Sequence, residues 1–540
     1  MADAYDATWE SLDRHEVPQW FADAKLGVFV HWYPNAVPGY GFGWYAKHMH
    51  EPDHPVGEYH QKHYGIPTPS EQTRDDDTAG DDSRDHDVGS DGDTEADPDT
   101  NPPPVFEYKD FVRETQKARD LDAEENFTAE NWDPSEWIDL FEAAGARYVV
   151  ATAEHHDGFP MWDADYTPWT AVQMGPERDV IGDLAAATRE RGLRFAGSHH
   201  RLYNYYDPRY TGTFGHPEFR DPNGEGRPAD AEGPTDAFVD ELQGTIRAMF
   251  DHHRPDILWL DGDWAASAET YRTRELLAEY YNRAEDWDKE VVANDRLGRV
   301  RWNDDGETHG DFYTPEYTKF DAVVETKWEA TRALGNSWTY DRTETDDDLM
   351  SVTALVRNFV DIVSKNGNML INVGPRADGT IPEIQADRLR RLGEWLETNG
   401  EAIYGSRYWV VPEDETGDVA VRYTARDEYV YAVLFGWPDG TASLSIPEYV
   451  TPSVPVGVDL LGGPDDLDCE VDGDELCIDL PESPPGGDHA WTVRVQVVES
   501  GADAFVAADP PPEDGVVRST AALRAMVDDD YEEETWAVEE

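Results

Sequence analysis

The chain has 540 residues, with 115 acidic against 44 basic side chains and a formal net charge of −71. A surface this acidic repels itself in dilute buffer, whereas at molar ionic strength the screening length falls to about 3 Å and the carboxylates keep the protein hydrated. The charge argues against nucleic acid as a partner, because phosphate binding relies on basic patches, and with only nine lysines among the basic residues the composition points to a protein of a molar-salt cytoplasm.

The first stretch, MADAYDATWESLDRHEVPQWF, has no basic segment followed by an apolar one, and no later stretch reads as a membrane span. A soluble, cytoplasmic protein is therefore expected. The first strand candidate is GVFVHW (27–32). Residues 70–104 follow with no aromatic residue and one branched aliphatic, Val88, which predicts a disordered acidic insertion in a loop. Further strand candidates are RYVVATAEHH (147–156), LRFAGSHH (193–200), DILWLDGDW (256–264), EVVAND (290–295), DAVVETKWE (321–329) and NMLINVGP (368–375). Amphipathic stretches such as PSEWIDLFEAAGA and SVTALVRNFVDIVSKNG separate them, several ending in the glycine that caps a helix. This alternation, with roughly eight units over the length, predicts a (β/α)8 TIM barrel in an α/β catalytic domain over 1–405. From 406 to 499 the runs alternate in β fashion between Gly, Pro and Asp, predicting a small antiparallel β-sandwich, and 500–540 reads as an acidic mobile tail. The two cysteines, Cys469 and Cys477, either pair across a hairpin or never meet, and no zinc pattern is present.

Nearly every strand candidate ends in a polar or ionisable group: His31, His155 and His156, His200, Asp261, Asn294 to Arg296, and Glu325 to Glu329. In a barrel of parallel strands those ends meet on one face, where active sites of this architecture lie. Asp261 ends an apolar run and Glu316 follows in DFYTPEYTKF, and two carboxylates at a sugar pocket are the equipment of a glycosidase that needs no cofactor. The competing reading is that Asp261 and Asp263 cap the next helix. Adjacent residues of a strand face opposite sides, so His155 and His156 are not expected to chelate one metal; one would serve a ligand and the other pack against its support. The irregular group His48, His50, His54, His60 and His63 reads as solvated surface. Of the 19 tryptophans, Trp44 and Trp338 stand near loop or strand ends where a ring can pack on a sugar face, and Trp137 reads as a helix residue facing the sheet.

The segments WFADAKLGVFVHWYPNAVP, GWYAKHM, EYHQKHYG, the run from WDPSEW to TPW, RPDILWLDGDW, NDRLG, DFYTPEY, WEATRALGNSWTYDR and VSKNGNMLINVGPRADG occur in that order. Together they resemble the barrel-plus-sandwich glycoside hydrolases of family 29, the α-L-fucosidases. The resemblance implies exo-acting, retaining release of terminal fucose from fucosylated oligosaccharides or glycoconjugates through a covalent intermediate, without a cofactor. It implies Asp261 as nucleophile and Glu316 as acid/base, with Glu329 a competitor and Glu325 a more distant one. His31, Trp44, His155, His156, Arg296 and Trp338 match positions that hold the sugar, and His200 falls where relatives carry a pocket histidine or tyrosine. Gly43 departs from the glutamate many relatives have there, and AGSHHRLYNYY lacks a tyrosine pair common in the family, which bears on substrate preference. Two other readings stand beside it: a glycosidase of a related sugar such as α-L-galactose, and a carbohydrate-binding protein without activity.

Overall fold

The computed structural model describes residues 4–49, 53–64, 127–167, 169–201, 234, 236–262, 266–298, 310–445, 457–473, 475–496 and 516–517. The expected acidic insertion, Asp263 and all but two residues of the expected tail lie outside that set.

Among the described residues of the first domain, eight short apolar runs form strands: β1 (Leu26–Val30), β2 (Tyr148–Glu154), β3 (Arg194–His199), β4 (Ile257–Leu260), β5 (Val292–Ala293), β6 (Val323–Val324), β7 (Trp328–Ala333) and β8 (Gly367–Val373). Seven of them make one parallel sheet in the order β5-β4-β3-β2-β1-β8-β7. Helices α1 (Pro134–Ala143), α2 (Val180–Glu190), α3 (Asp236–His253), α4 (Thr273–Asp286), α5 (Val352–Ser364) and α6 (Glu383–Asn399) alternate with them. With helices against the sheet, the strands are buried along nearly their whole length and read as continuous apolar runs. An inner cluster of Phe29, Tyr148, Val150, Ala196, Trp259 and Leu370, drawn from β1 to β4 and β8, shows the sheet curling round its own core. Trp137, on α1, is buried as expected and its indole N–H donates to the Gly379 carbonyl at 2.9 Å.

The expected eightfold closure is met only in part. Between β5 and β7 stand residues 312–316, joined to their neighbours by isolated parallel bridges, Asn294 with Phe312, Tyr313 with Trp328 and Glu316 with Thr331. Pro315 in this short segment has no N–H to give a ladder, although its carbonyl accepts from Thr331 N at 3.0 Å. The sheet is thus a curled seven-stranded one. The single strand expected over 321–329 is split: β6 pairs in parallel with 516–517, and β7 begins at Trp328. The Asn366 side chain takes up the Val324 and Glu325 carbonyls that would otherwise continue the strand.

The second domain has two antiparallel sheets, of five and three strands, sharing an apolar cluster that includes Val421, Ala432, Leu434, Leu444, Ile478 and Val493. Cys469 and Cys477 are free. Their strands pair with Cys469 opposite Ile478 and Cys477 opposite Glu470, so the two thiols sit one register step apart and point to opposite faces.

Asp361, on α5, joins the domains. Its carboxylate meets Lys319 at 2.9 Å, Lys365 at 3.1 Å and Arg422 of the second domain. Burial alone would raise its pKa, but the three cations outweigh burial and hold it at about 2. A depressed carboxyl stabilises the fold above its unfolded value of about 3.9, and that contribution fades as pH falls towards the folded value. Asp361→Asn, which leaves the buried Lys365 only the half-exposed Glu413 carboxylate at 3.4 Å, is expected to cost about 3 kcal/mol in denaturant unfolding at neutral pH. The gap from the parent protein should narrow as pH drops from about 4 to 2; a gap that stays constant would contradict this linkage.

Candidate active site

Asp261 follows β4 directly, and its backbone N–H donates to the His199 carbonyl at 3.1 Å. The Asn294 side chain, just past β5, fixes the end of β4 by accepting from Leu260 N and donating to Leu260 O, both at 2.9 Å. Thus held, the carboxylate faces three side chains. Oδ1 accepts from Arg296 Nη1 at 2.9 Å, and Oδ2 lies 3.0 Å from His200 Nδ1 and 3.4 Å from His156 Nε2. The helix-cap reading of Asp261 is therefore overturned, since its oxygens are taken by an arginine and histidines. Burial alone would raise its pKa, but the hydrogen bonds from His156 and His200, with the charge of Arg296, hold it well below the usual carboxylate range.

Arg296 is itself fixed, with Nε on Thr314 Oγ1 and Nη2 on the Thr314 carbonyl, each at 2.9 Å. Its Nη1 donates to Asp261 and also to Glu316 Oε2, at 2.9 and 3.0 Å. Two oxygens sharing one nitrogen at those distances stand no more than about 6 Å apart, a bound that admits the roughly 5–5.5 Å of a retaining glycosidase pair. The Asp261 side chain is 13% exposed and that of Glu316 is 39% exposed, so both reach the opening. Tyr317, next to Glu316, has a left-handed φ of 52°, backbone strain of the kind that collects at functional sites.

The other candidate acids lie elsewhere. Glu329 is fully buried, accepting from Trp259 Nε1 at 3.0 Å and from the Tyr148 hydroxyl at 2.5 Å, and burial pushes its carboxyl up to about 7. Glu325 is exposed just after β6, where its carbonyl accepts from Asn366, the residue that precedes β8; this is the amino end of the strands, opposite Asp261.

Histidines and aromatic rings wall the space beside Asp261. His31 follows β1, with Nδ1 on Asn372 Oδ1 at 2.6 Å, and burial brings its pKa down to about 3. The Asn372 amide also donates to the Trp338 carbonyl at 2.6 Å, and the Trp338 ring lies 5.2 Å from that of His31. His155 stacks on Tyr33 at 4.4 Å, and His156 stacks on Trp44 at 5.3 Å. The strand ends at Glu154, so the alternation expected of the pair does not apply and both imidazoles enter the site. Burial lowers the pKa of each, which leaves neutral rings suited to hydroxyl groups. Every candidate site residue except Glu329 and Glu325 is thus gathered at the carboxyl ends of the strands. Of the loop histidines, His48 stacks on His54 and His63 on Tyr59, away from that face, and His50 lies outside the described residues. His60 is buried against the Tyr45 hydroxyl at 2.6 Å, which corrects its reading as solvated surface.

The family model described as alpha-L-fucosidase matches residues 1–79 and 82–401, and that of the alpha-L-fucosidase C-terminal domain matches 413–496. The chain belongs to the alpha-L-fucosidase family. Tissue alpha-L-fucosidase of Rattus norvegicus is 31% identical, covering 92% of this chain and 93% of its own, and that of Homo sapiens is 32% identical, covering 92% of each. A crystal structure of Thermotoga maritima alpha-fucosidase in complex with a mechanism-based inhibitor superposes with a TM-score of 0.70 at 32% identity, over 91% of this chain and 100% of that one. As an alpha-L-fucosidase the chain is a glycosidase that hydrolyses alpha-L-fucosides.

Several residues of this fucosidase site escaped the sequence reading. Asn372 is a polar residue in a buried strand, and that contrast was its signal. Thr314 and Tyr33 carried none. Gly43 has a φ of 98° and its carbonyl accepts from the Tyr33 hydroxyl at 3.0 Å. A Cβ there would stand 3.2 Å from that hydroxyl, so glycine suits this turn on both counts. Donor atoms of His156, His200 and Asp261, and of His31, His155 and His200, lie within 4.8 Å of one another, but the ring nitrogens of His31 and His200 that face Asn372 and Ser198 are already occupied.

Proposed function

We propose that this fucosidase works by retention, with Asp261 as nucleophile and Glu316 as acid/base, on terminal α-L-fucose of fucosylated oligosaccharides or glycoconjugates. The observation that supports the reading is the shared Arg296 Nη1, which holds both carboxylates close to each other at the opening. The ionised Asp261 attacks the anomeric carbon while Glu316 gives its proton to the departing glycosidic oxygen. In the second half Glu316 takes a proton from water, whose oxygen displaces Asp261 and frees the sugar with its original configuration. The buried histidines serve the hydroxyls, and Trp44 and Trp338 supply the apolar lining for the ring and its methyl group. Among the described residues the intact acid pair disfavours a binding protein without activity.

The related-sugar reading turns on that lining, because α-L-galactose carries a hydroxymethyl group where fucose has a methyl. Apolar slots reject an added hydroxyl by about a hundredfold. An aryl α-L-fucoside is expected to be cleaved with a kcat/KM about that much above the matching α-L-galactoside; equal values would show that the lining does not select the methyl.

We further propose that the chain is halophilic and works in a molar-salt cytoplasm, on the support of its net charge of −71. Self-repulsion of the acidic surface is screened only at high ionic strength. Circular dichroism should show the fold lost on dialysis from molar KCl into dilute buffer, and an unchanged spectrum and melting temperature would count against the proposal.

A further inference from the structure

We propose that Asp179, His252 and His253 form a binding site for one transition-metal ion of the zinc class, separate from the fucoside site. Asp179 precedes α2, and its Oδ1 accepts from Gly182 N at 2.7 Å while Oδ2 faces His252 Nε2 at 3.1 Å. The two histidines are the last residues of α3, with rings 4.6 Å apart at 77°. One donor atom from each of the three residues lies within 4.8 Å of the others.

A hydrogen bond between Asp179 and His252 would by itself be an ordinary helix-to-helix contact. The second observation is His253, which is 3% exposed and whose Nε2 has no hydrogen-bond partner among the described residues. A buried polar atom left unmade is costly and calls for a partner. The neighbouring cations do not supply one: Arg178 pairs with Asp183, and Arg189 donates to the His253 and Arg254 carbonyls. Trp162 packs on both imidazoles, each at 5.2 Å.

Two imidazoles and one carboxylate are a donor set for zinc, cobalt or nickel, with a further position open to water, whereas calcium and magnesium prefer oxygen alone. Metal bonds of about 2.0–2.2 Å require the donors to draw in by roughly 1 Å. His252, whose side chain is 42% exposed, has the freedom to do so. A bound ion would tie the start of α2 to the end of α3.

Cobalt(II) titration of the full chain in molar KCl tests this. One equivalent is expected to give visible d–d bands that zinc(II) displaces, and the bands should be lost in His252→Ala and in Asp179→Asn. Asparagine keeps the cap on Gly182, so the second variant removes the charge without removing the helix start. Both variants should retain fucoside hydrolysis, since neither residue stands at the fucoside site. Absence of bands in the parent protein would overturn the proposal. So would bands of parent intensity in both variants, which would assign the metal to the histidines around Asp261 or to the acidic surface.

Discussion

Asp261→Gly is expected to abolish turnover of an aryl α-L-fucoside while fucose binding stays measurable. The loss should be on the order of a million-fold in kcat, the scale on which removal of a covalent nucleophile acts. Binding survives because His31, His155 and Trp338 are held by Asn372, Tyr33 and one another and not by Asp261. The glycine also leaves room on the face from which Asp261 would attack. Azide added to the variant should enter there and yield the β-fucosyl azide, with inverted configuration, as one displacement must. Titration with fucose and analysis of the azide product check both parts. Turnover near the parent rate, or an α-configured azide, would remove Asp261 from the nucleophile's role.

What the sequence disclosed, and what it withheld, follows from the length scale of each interaction. A carboxylate ending the buried run DILWL stands out locally, because burial and ionisation conflict within a few residues. The carboxyl-end convergence of His31, His200 and Asp261 followed from strand–helix alternation alone. Closure of the sheet did not, because residues 312–316 hold the eighth position through single bridges that leave almost no strand pattern around Pro315. Glu316 and Glu329 both follow apolar or aromatic residues, and only the curl of the sheet places one at the opening and the other beneath Trp259. The histidine pair was misjudged for a related reason: alternation of faces holds within a strand, and β2 stops one residue before His155. Asn294 and Asn372 act on residues 34 positions away, at Leu260 and Trp338, contacts that local pattern does not encode.

The choice between the two glutamates yields the second large effect. Glu316→Ala should lower kcat/KM by about 10²–10⁴ for a natural disaccharide, the usual contribution of general acid catalysis, and much less for a dinitrophenyl fucoside whose departure needs no proton. Here the nucleophile is intact, so azide attacks the fucosyl–Asp261 ester from the opposite face and the rescued product is the α-fucosyl azide. The stereochemistry thus separates this variant from Asp261→Gly even where both are slow. Glu329→Gln offers the contrast: glutamine can still accept from the Tyr148 hydroxyl or the Trp259 indole, and the residue has no exposed surface from which to meet a leaving group. It is expected to keep the parent's dependence on leaving-group acidity and to show no azide rescue, with any change confined to stability. Azide rescue of a Glu329 variant, together with an unaffected Glu316→Ala, would transfer the acid/base role to the buried residue and require the inner core to open during turnover.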